Sequence, residues 1–140
     1  MKDNLPKVRT ANHNLIEVRN IYCVGRNFIP HAEELNNPIP DKPIIFQKSI
    51  SALTTSNEVT IPANTDIEHE LEVVVLIQSD GYKIRIENAM NHIGGYGLGL
   101  DLTDRKIQKE LKSKRLPWFL SKIFRDSAVV TDFTHWNDSK

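Results

Sequence analysis

The run Ile67-Glu68-His69-Glu70-Leu71-Glu72-Val73-Val74-Val75-Leu76-Ile77 constrains this chain more than any other stretch. Its odd positions Ile67, Leu71, Val73, Val75 and Ile77 are apolar. Its even positions begin with Glu68, Glu70 and Glu72, then turn apolar at Val74 and Leu76. A period of two is the signature of a β-strand, because successive side chains leave opposite faces of a sheet. The pattern predicts a strand charged on one face at its start and buried on both faces at its end. A sheet built on it places its core at one end and a cluster of acids at the other.

The neighbouring segments read mainly as strands. Ile21 to Val24 is one, ended by Gly25, and PIIFQK, residues 43–48, is a second. Val59 to Pro62 reads as a third. A short helix is expected from Pro30 to Leu35, with proline in its first turn and Asn36-Asn37-Pro38 as its stop. A turn at Ser79-Asp80-Gly81 leads to a short helix near Ile86–Ile93. GGYGLGLD, residues 94–101, has the pattern of a strand with little side-chain bulk, open to close approach by another backbone or a ligand. Thr103 or Asp104 is placed to cap a helix running to about Lys114, and Pro117 breaks it. Ser127 to Thr131 is a last strand. Residues 1–14 are polar and read as a tail, leaving 15–140 as a single domain.

At 140 residues the chain is long enough for one domain with a true core. Its formal charge is zero, from 18 basic and 18 acidic residues, so nothing in the charge points to nucleic acid or an anionic membrane as a partner. No apolar run approaches the length of a membrane-spanning helix, and the N-terminus has no signal-like apolar region. A lone cysteine, Cys23, suits a reducing compartment. The expected location is the cytoplasm.

Glu68, Glu70 and Glu72 lie on one strand face, about 6.6 Å apart at successive steps. Three like charges repel, and a hard divalent cation such as Mg²⁺ or Ca²⁺ relieves that repulsion. A solvated strand edge is the ordinary alternative. His31 and Glu34 are three residues apart on the expected helix, so the carboxylate can orient the imidazole as a general base. A polar surface helix is the alternative there. Arg26 and Asn27 follow a strand-ending glycine, a usual place for ligand-binding groups. Lys48 ends an apolar strand and Lys122 lies within WFLSKIF; either can face an oxyanion or snorkel to water. Cys23 sits mid-strand and reads as core.

Taken in order, VGRNFIPHAEEL, the strand ending FQK, HELEVVVLI, GGYGLGLDLTDR and LPWFLSKIF resemble the fumarylacetoacetate hydrolase family. The resemblance runs from about Ile21 to Val130 and is strongest to its small acylpyruvate hydrolase and oxaloacetate decarboxylase or tautomerase branch. It implies an α+β, mainly β fold: the N-terminal portion of the family's mixed β-roll, with short helices. It implies that Glu70, Glu72 and Asp101 hold a metal ion, usually Mg²⁺ with Mn²⁺ or Ca²⁺ as substitutes. His31 and Glu34 match the family's catalytic dyad, Lys122 and Lys48 match pocket lysines, and Arg26 matches a substrate-side arginine.

The implied activity is metal-dependent hydrolysis or decarboxylation that cleaves C–C bonds in small 2-oxo acids such as acylpyruvates and oxaloacetate. The implied assembly is a homodimer. Family members continue past the point where this chain stops, with further strands and a TGTP-type loop that residues 131–140 do not supply. Residues 15–140 therefore read as an incomplete catalytic domain, and a truncated, inactive relative that keeps metal or ligand binding is the alternative.

Overall fold

A computed structural model describes residues 5–25, 27 and 42–136. The expected helix over Pro30–Leu35, with Arg26, His31 and Glu34, lies outside them.

The acid-bearing run forms the long strand expected of it, β6 (Ile67–Ile77). Its partner is the glycine-rich strand β7 (Ile93–Asp104), paired antiparallel along its length, with Glu70 opposite Asp101 and Glu72 opposite Gly99. A 3₁₀ turn, Ile86–His92, joins the two. On the other side of β7 lies β8 (Ala128–Val130), which also pairs in parallel with the short β5 (Leu53–Thr54). The sheet order is β5-β8-β7-β6, and β9 (Thr134–His135) adds to β7 at Gly95 and Tyr96. The glycines of β7 explain the crowding: a Cβ on Gly95 would lie 2.5 Å from the Thr134 carbonyl oxygen, and one on Gly99 2.6 Å from Val74 Cγ2. Neighbouring backbone and side chains occupy the space that side chains would need.

Two hairpins complete the fold: β1 (Lys7–Arg9) with β2 (Leu15–Glu17), and β3 (Ile21–Gly25) with β4 (Ile44–Lys48). The helix α1 (Arg105–Ser113) starts where β7 ends. Asp104 caps it, accepting a hydrogen bond from the Ile107 amide at 3.1 Å. A 3₁₀ turn at Trp118–Ser121 follows Pro117.

Three expectations need correction. Residues 7–9 are not tail. Val8 is 2 % exposed and packs with Leu76 and Phe133 in the core, while Phe133 and Arg9 share a backbone hydrogen bond. A single apolar residue between Lys7 and Arg9 is too small a signal to read from the chain. Val59 to Pro62 joins no ladder. The Thr60 amide donates to the Asp126 side chain, and Pro62 has no amide to offer a partner strand. Finally, the far end of β6 is not buried on both faces: Leu76 is buried, but Val73, Val75 and Ile77 are exposed. The pattern marked these residues as apolar, and the described residues leave most of that side open.

Val8→Ala removes two methyl groups from this core and is expected to cost about 1–2 kcal/mol in urea unfolding. A loss below about 0.5 kcal/mol would show that the N-terminal strand adds little to the core.

Candidate active site

The acidic face of β6 and the opposed residues of β7 form the floor of a cleft of about 830 Å³. The β3–β4 hairpin supplies one wall, with Cys23, Phe46 and Lys48. Arg105, Gln108 and Trp118 supply another. The Phe46 and Trp118 rings meet edge to face at 4.9 Å between centroids, which ties the hairpin to the turn after α1.

Direct opposition of Glu70 and Asp101 places two carboxylates side by side, and a single cation answers both. The Lys122 ammonium donates to Glu70 Oε2 at 2.7 Å and to Asp101 Oδ2 at 2.5 Å. Its remaining side faces the Phe46 ring, 5.2 Å from the centroid. Lys48 donates to Asp101 Oδ1 at 2.6 Å and to the Leu102 carbonyl at 3.0 Å. Both lysines are almost wholly buried, at 4 % exposure for Lys48 and 3 % for Lys122. Neither is a snorkelling surface lysine. Arg105 then spans Glu68 Oε2 at 2.7 Å and Glu70 Oε1 at 3.2 Å, and donates to Gln108 Oε1.

These contacts set the protonation of the site. Burial alone pushes the Glu70 carboxyl up. The hydrogen bond and charge of Lys122, joined by Arg105, outweigh it and hold Glu70 below the usual carboxylate value. Burial lowers the Lys48 ammonium from its ordinary value, with Asp101 opposing. Burial also pushes the Cys23 thiol up to about 11, and the Asp101 charge adds to it. Such a thiol is a poor nucleophile, although Cys23 is half-buried in the wall of the cleft and not in the core expected for it.

The structure thus brings Glu70, Asp101, Lys48 and Lys122 into contact and leaves Glu72 on the same face of the same cleft. Among the described residues, no three of His, Cys, Asp and Glu stand close enough as they are to hold an ion. The donor set still suits a hard cation: two opposed carboxylates already share one positive centre, and every oxygen is the type Mg²⁺ or Mn²⁺ prefers. Sequence reading missed Arg105 and Gln108. The available signal was the register. Ile67 pairs with Asp104, so the next residue, Arg105, begins a helix beside Glu68 and Glu70.

The family model for the fumarylacetoacetate hydrolase C-terminal domain matches residues 20–139. The chain belongs to the fumarylacetoacetate hydrolase family. A mitochondrial oxaloacetate tautomerase of Caenorhabditis elegans is 39% identical over 120 residues, covering 84% of this chain and 56% of its own. A mitochondrial oxaloacetate decarboxylase of Dictyostelium discoideum is 39% identical over 118 residues, 82% of this chain and 54% of its own. Among solved structures, a fumarylacetoacetate isomerase/hydrolase homologue from Oleispira antarctica matches with a TM-score of 0.89 and 36% identity, over 97% of this chain and 62% of its own. Fumarylpyruvate hydrolase from Pseudomonas aeruginosa, in complex with Mn²⁺ and pyruvate, matches at 0.87 and 29% identity, over 96% and 61%. This family member spans only a little over half the length of the curated relatives it matches.

The depressed Glu70 value fixes the sign of a pH effect. A folded-state carboxyl held below its unfolded value, near 4.5, contributes stability that is complete above that value and is lost as pH falls through the folded one. Urea midpoints measured from about pH 6 to about pH 3 should therefore fall less steeply for Glu70→Gln than for the parent chain. Parallel slopes would show that Glu70 is not held by these cations.

Proposed function

We propose that this protein binds a divalent cation through Glu70, Glu72 and Asp101 and acts on small 2-oxo acids by C–C hydrolysis or decarboxylation. The observation that carries this reading is the convergence of Glu70 and Asp101 on one cationic centre in a cleft lined by buried lysines. Relatives named as oxaloacetate tautomerase, oxaloacetate decarboxylase and fumarylpyruvate hydrolase support it, as does the Mn²⁺ and pyruvate bound by one of them. Mg²⁺ is the proposed natural ion, with Mn²⁺ or Ca²⁺ as substitutes.

When bound, the ion supplies Lewis acidity toward a 2-oxo acid. The chain's own residues do the rest. Lys122 and Lys48 present positive charge to the carboxylate or developing oxyanion of the substrate, in a site where little water screens them. Arg105 holds Glu70 from its other oxygen and keeps that carboxylate aimed into the cleft. Arg26 is proposed to meet the far end of the substrate. His31, oriented by Glu34, is proposed to take a proton from the water that attacks an acylpyruvate; decarboxylation needs no such water.

The same reading makes the protein a homodimer. Among the described residues no helix is long and apolar enough to cross a membrane. The cytoplasm is the proposed location, although the matched tautomerase and decarboxylase are mitochondrial by name.

Purified chain with Mg²⁺ or Mn²⁺, assayed on oxaloacetate and acetylpyruvate, tests the activity. Metal-dependent turnover of either is expected. Ion-induced stabilisation without turnover would instead favour the inactive, ligand-binding relative. Binding itself is read from thermal melts: Mg²⁺ should raise the Tm of the parent chain and leave that of Glu70→Ala unmoved, because an ion stabilises only the state that holds it. An unchanged Mg²⁺ response in the variant would remove Glu70 from the ligand set. Where acetylpyruvate is turned over, His31→Ala should lower kcat/KM by about 10²–10⁴-fold and Glu34→Gln by less. Equal losses on oxaloacetate would mean that the dyad positions substrate and does not activate water.

A further inference from the structure

Every carboxylate oxygen of Glu70 and Asp101 has a cation against it. Arg105 donates to Glu70 Oε1 at 3.2 Å, and Lys48 to Asp101 Oδ1 at 2.6 Å. Lys122 takes the other two, Glu70 Oε2 at 2.7 Å and Asp101 Oδ2 at 2.5 Å. Glu68, Glu70 and Asp101 are thus matched by Arg105, Lys48 and Lys122, charge for charge. A divalent ion entering such a cluster gains little net attraction, because positive groups already stand on the oxygens it needs.

Of the three cations, Lys122 is the one an ion has to move. Lys48 reaches Asp101 and is tied as well to the Leu102 carbonyl at 3.0 Å. Arg105 reaches Glu70 and is tied as well to Glu68 and Gln108. Lys122 bridges the two acids from between them. Mg²⁺ takes its oxygens at about 2.1 Å, so an ion shared by the same two oxygens needs the space the ammonium fills. The Lys122 main chain is anchored: its amide donates to the Phe119 carbonyl at 2.9 Å, and its carbonyl accepts from the Ser127 hydroxyl at 2.8 Å. Displacement is therefore a matter of side-chain torsion. The Phe46 ring, with its centroid 5.2 Å from the ammonium, offers the displaced charge a second seat.

We propose, resting on the cation reading above, that Lys122 is a built-in competitor for the divalent ion. Its ammonium holds Glu70 and Asp101 together, and the ion binds by displacing it from both. Lys122 thereby sets the affinity of the site. A monovalent ion brings no more charge than the ammonium it replaces, so the exchange favours ions of higher charge.

Lys122→Met keeps much of the side chain's length without its charge, and titration calorimetry with Mg²⁺ and Mn²⁺ reads the result. Without added ion the variant should melt about 5 °C or more below the parent chain, since two carboxylates lose their shared partner. Its ion affinity should move the other way, to about ten-fold tighter than the parent or more. A residue that merely held the site in shape would lower both. Lys48→Met removes the same charge from Asp101 alone and should gain less than about three-fold. Should either variant fail to fold without an ion, the parent chain decides. In its crystal structure with Mn²⁺, the Lys122 ammonium should lie beyond hydrogen-bond distance of Glu70 Oε2 and Asp101 Oδ2. Equal or weaker ion binding by Lys122→Met, equal gains in the two variants, or a Mn²⁺-bound parent that keeps both Lys122 contacts would each overturn the proposal while leaving the cation site standing. Absence of any Mg²⁺ or Mn²⁺ binding in parent and variants alike would overturn the cation site and the competition together.

Discussion

One buried ammonium organises this molecule. Lys122 approaches from the turn after α1 and reaches Glu70 on β6 and Asp101 on β7 at once. Removing two carboxylates from water is costly unless cations stand beside them, and the cost grows as the surroundings dry. Lys48 reaches Asp101 from the β3–β4 hairpin, and Arg105 reaches Glu70 from the start of α1. The charges that line the cleft are therefore the same charges that fasten hairpin, sheet and helix to one another. Loss of any one of these cations leaves a carboxylate short of a partner, so the charge balance and the assembly of the cleft are not separable.

The glycines of β7 make this arrangement possible on the floor of the cleft. With no side chain at Gly97 or Gly99, the Val74 side chain and the backbone around Val129 and Asp132 pack directly against β7, and β8 and β9 pair along its other edge. Between these glycines, Tyr96, Leu98 and Leu100 alternate onto the opposite face, against Val75, Val73 and Leu71. The sheet consequently has two unlike sides: a charged cleft, and an apolar plane that the described residues leave uncovered.

Much of the site was legible in the chain. Alternation over 67–77 predicted β6 and put Glu70 and Glu72 on one face. The glycine-rich run predicted a strand open to close approach, and Asp104 appeared as a helix cap. Family resemblance named Lys48 and Lys122 as pocket residues, and both lie in the cleft. Arg105 was not legible, because its role depends on the β6–β7 register and on the direction in which α1 leaves the sheet. Val8 escaped notice for a related reason: one apolar residue among charged neighbours carries no periodicity.

Local spacing alone determined that this chain forms a long amphipathic strand, a glycine-rich partner and a capped helix, since those depend on backbone sterics and on side chains a few residues apart. Only the tertiary structure decided which cations meet which carboxylates, because Lys48 and Lys122 lie far from Asp101 in sequence and are brought to it by strand register and hairpin docking. It also decided which apolar residues are buried. Val74 and Val73 are neighbours of identical chemistry, yet one packs against the core and the other faces outward. Hydrophobicity states that a side chain gains by leaving water; whether a covering surface is present is set by what the rest of the fold places against it.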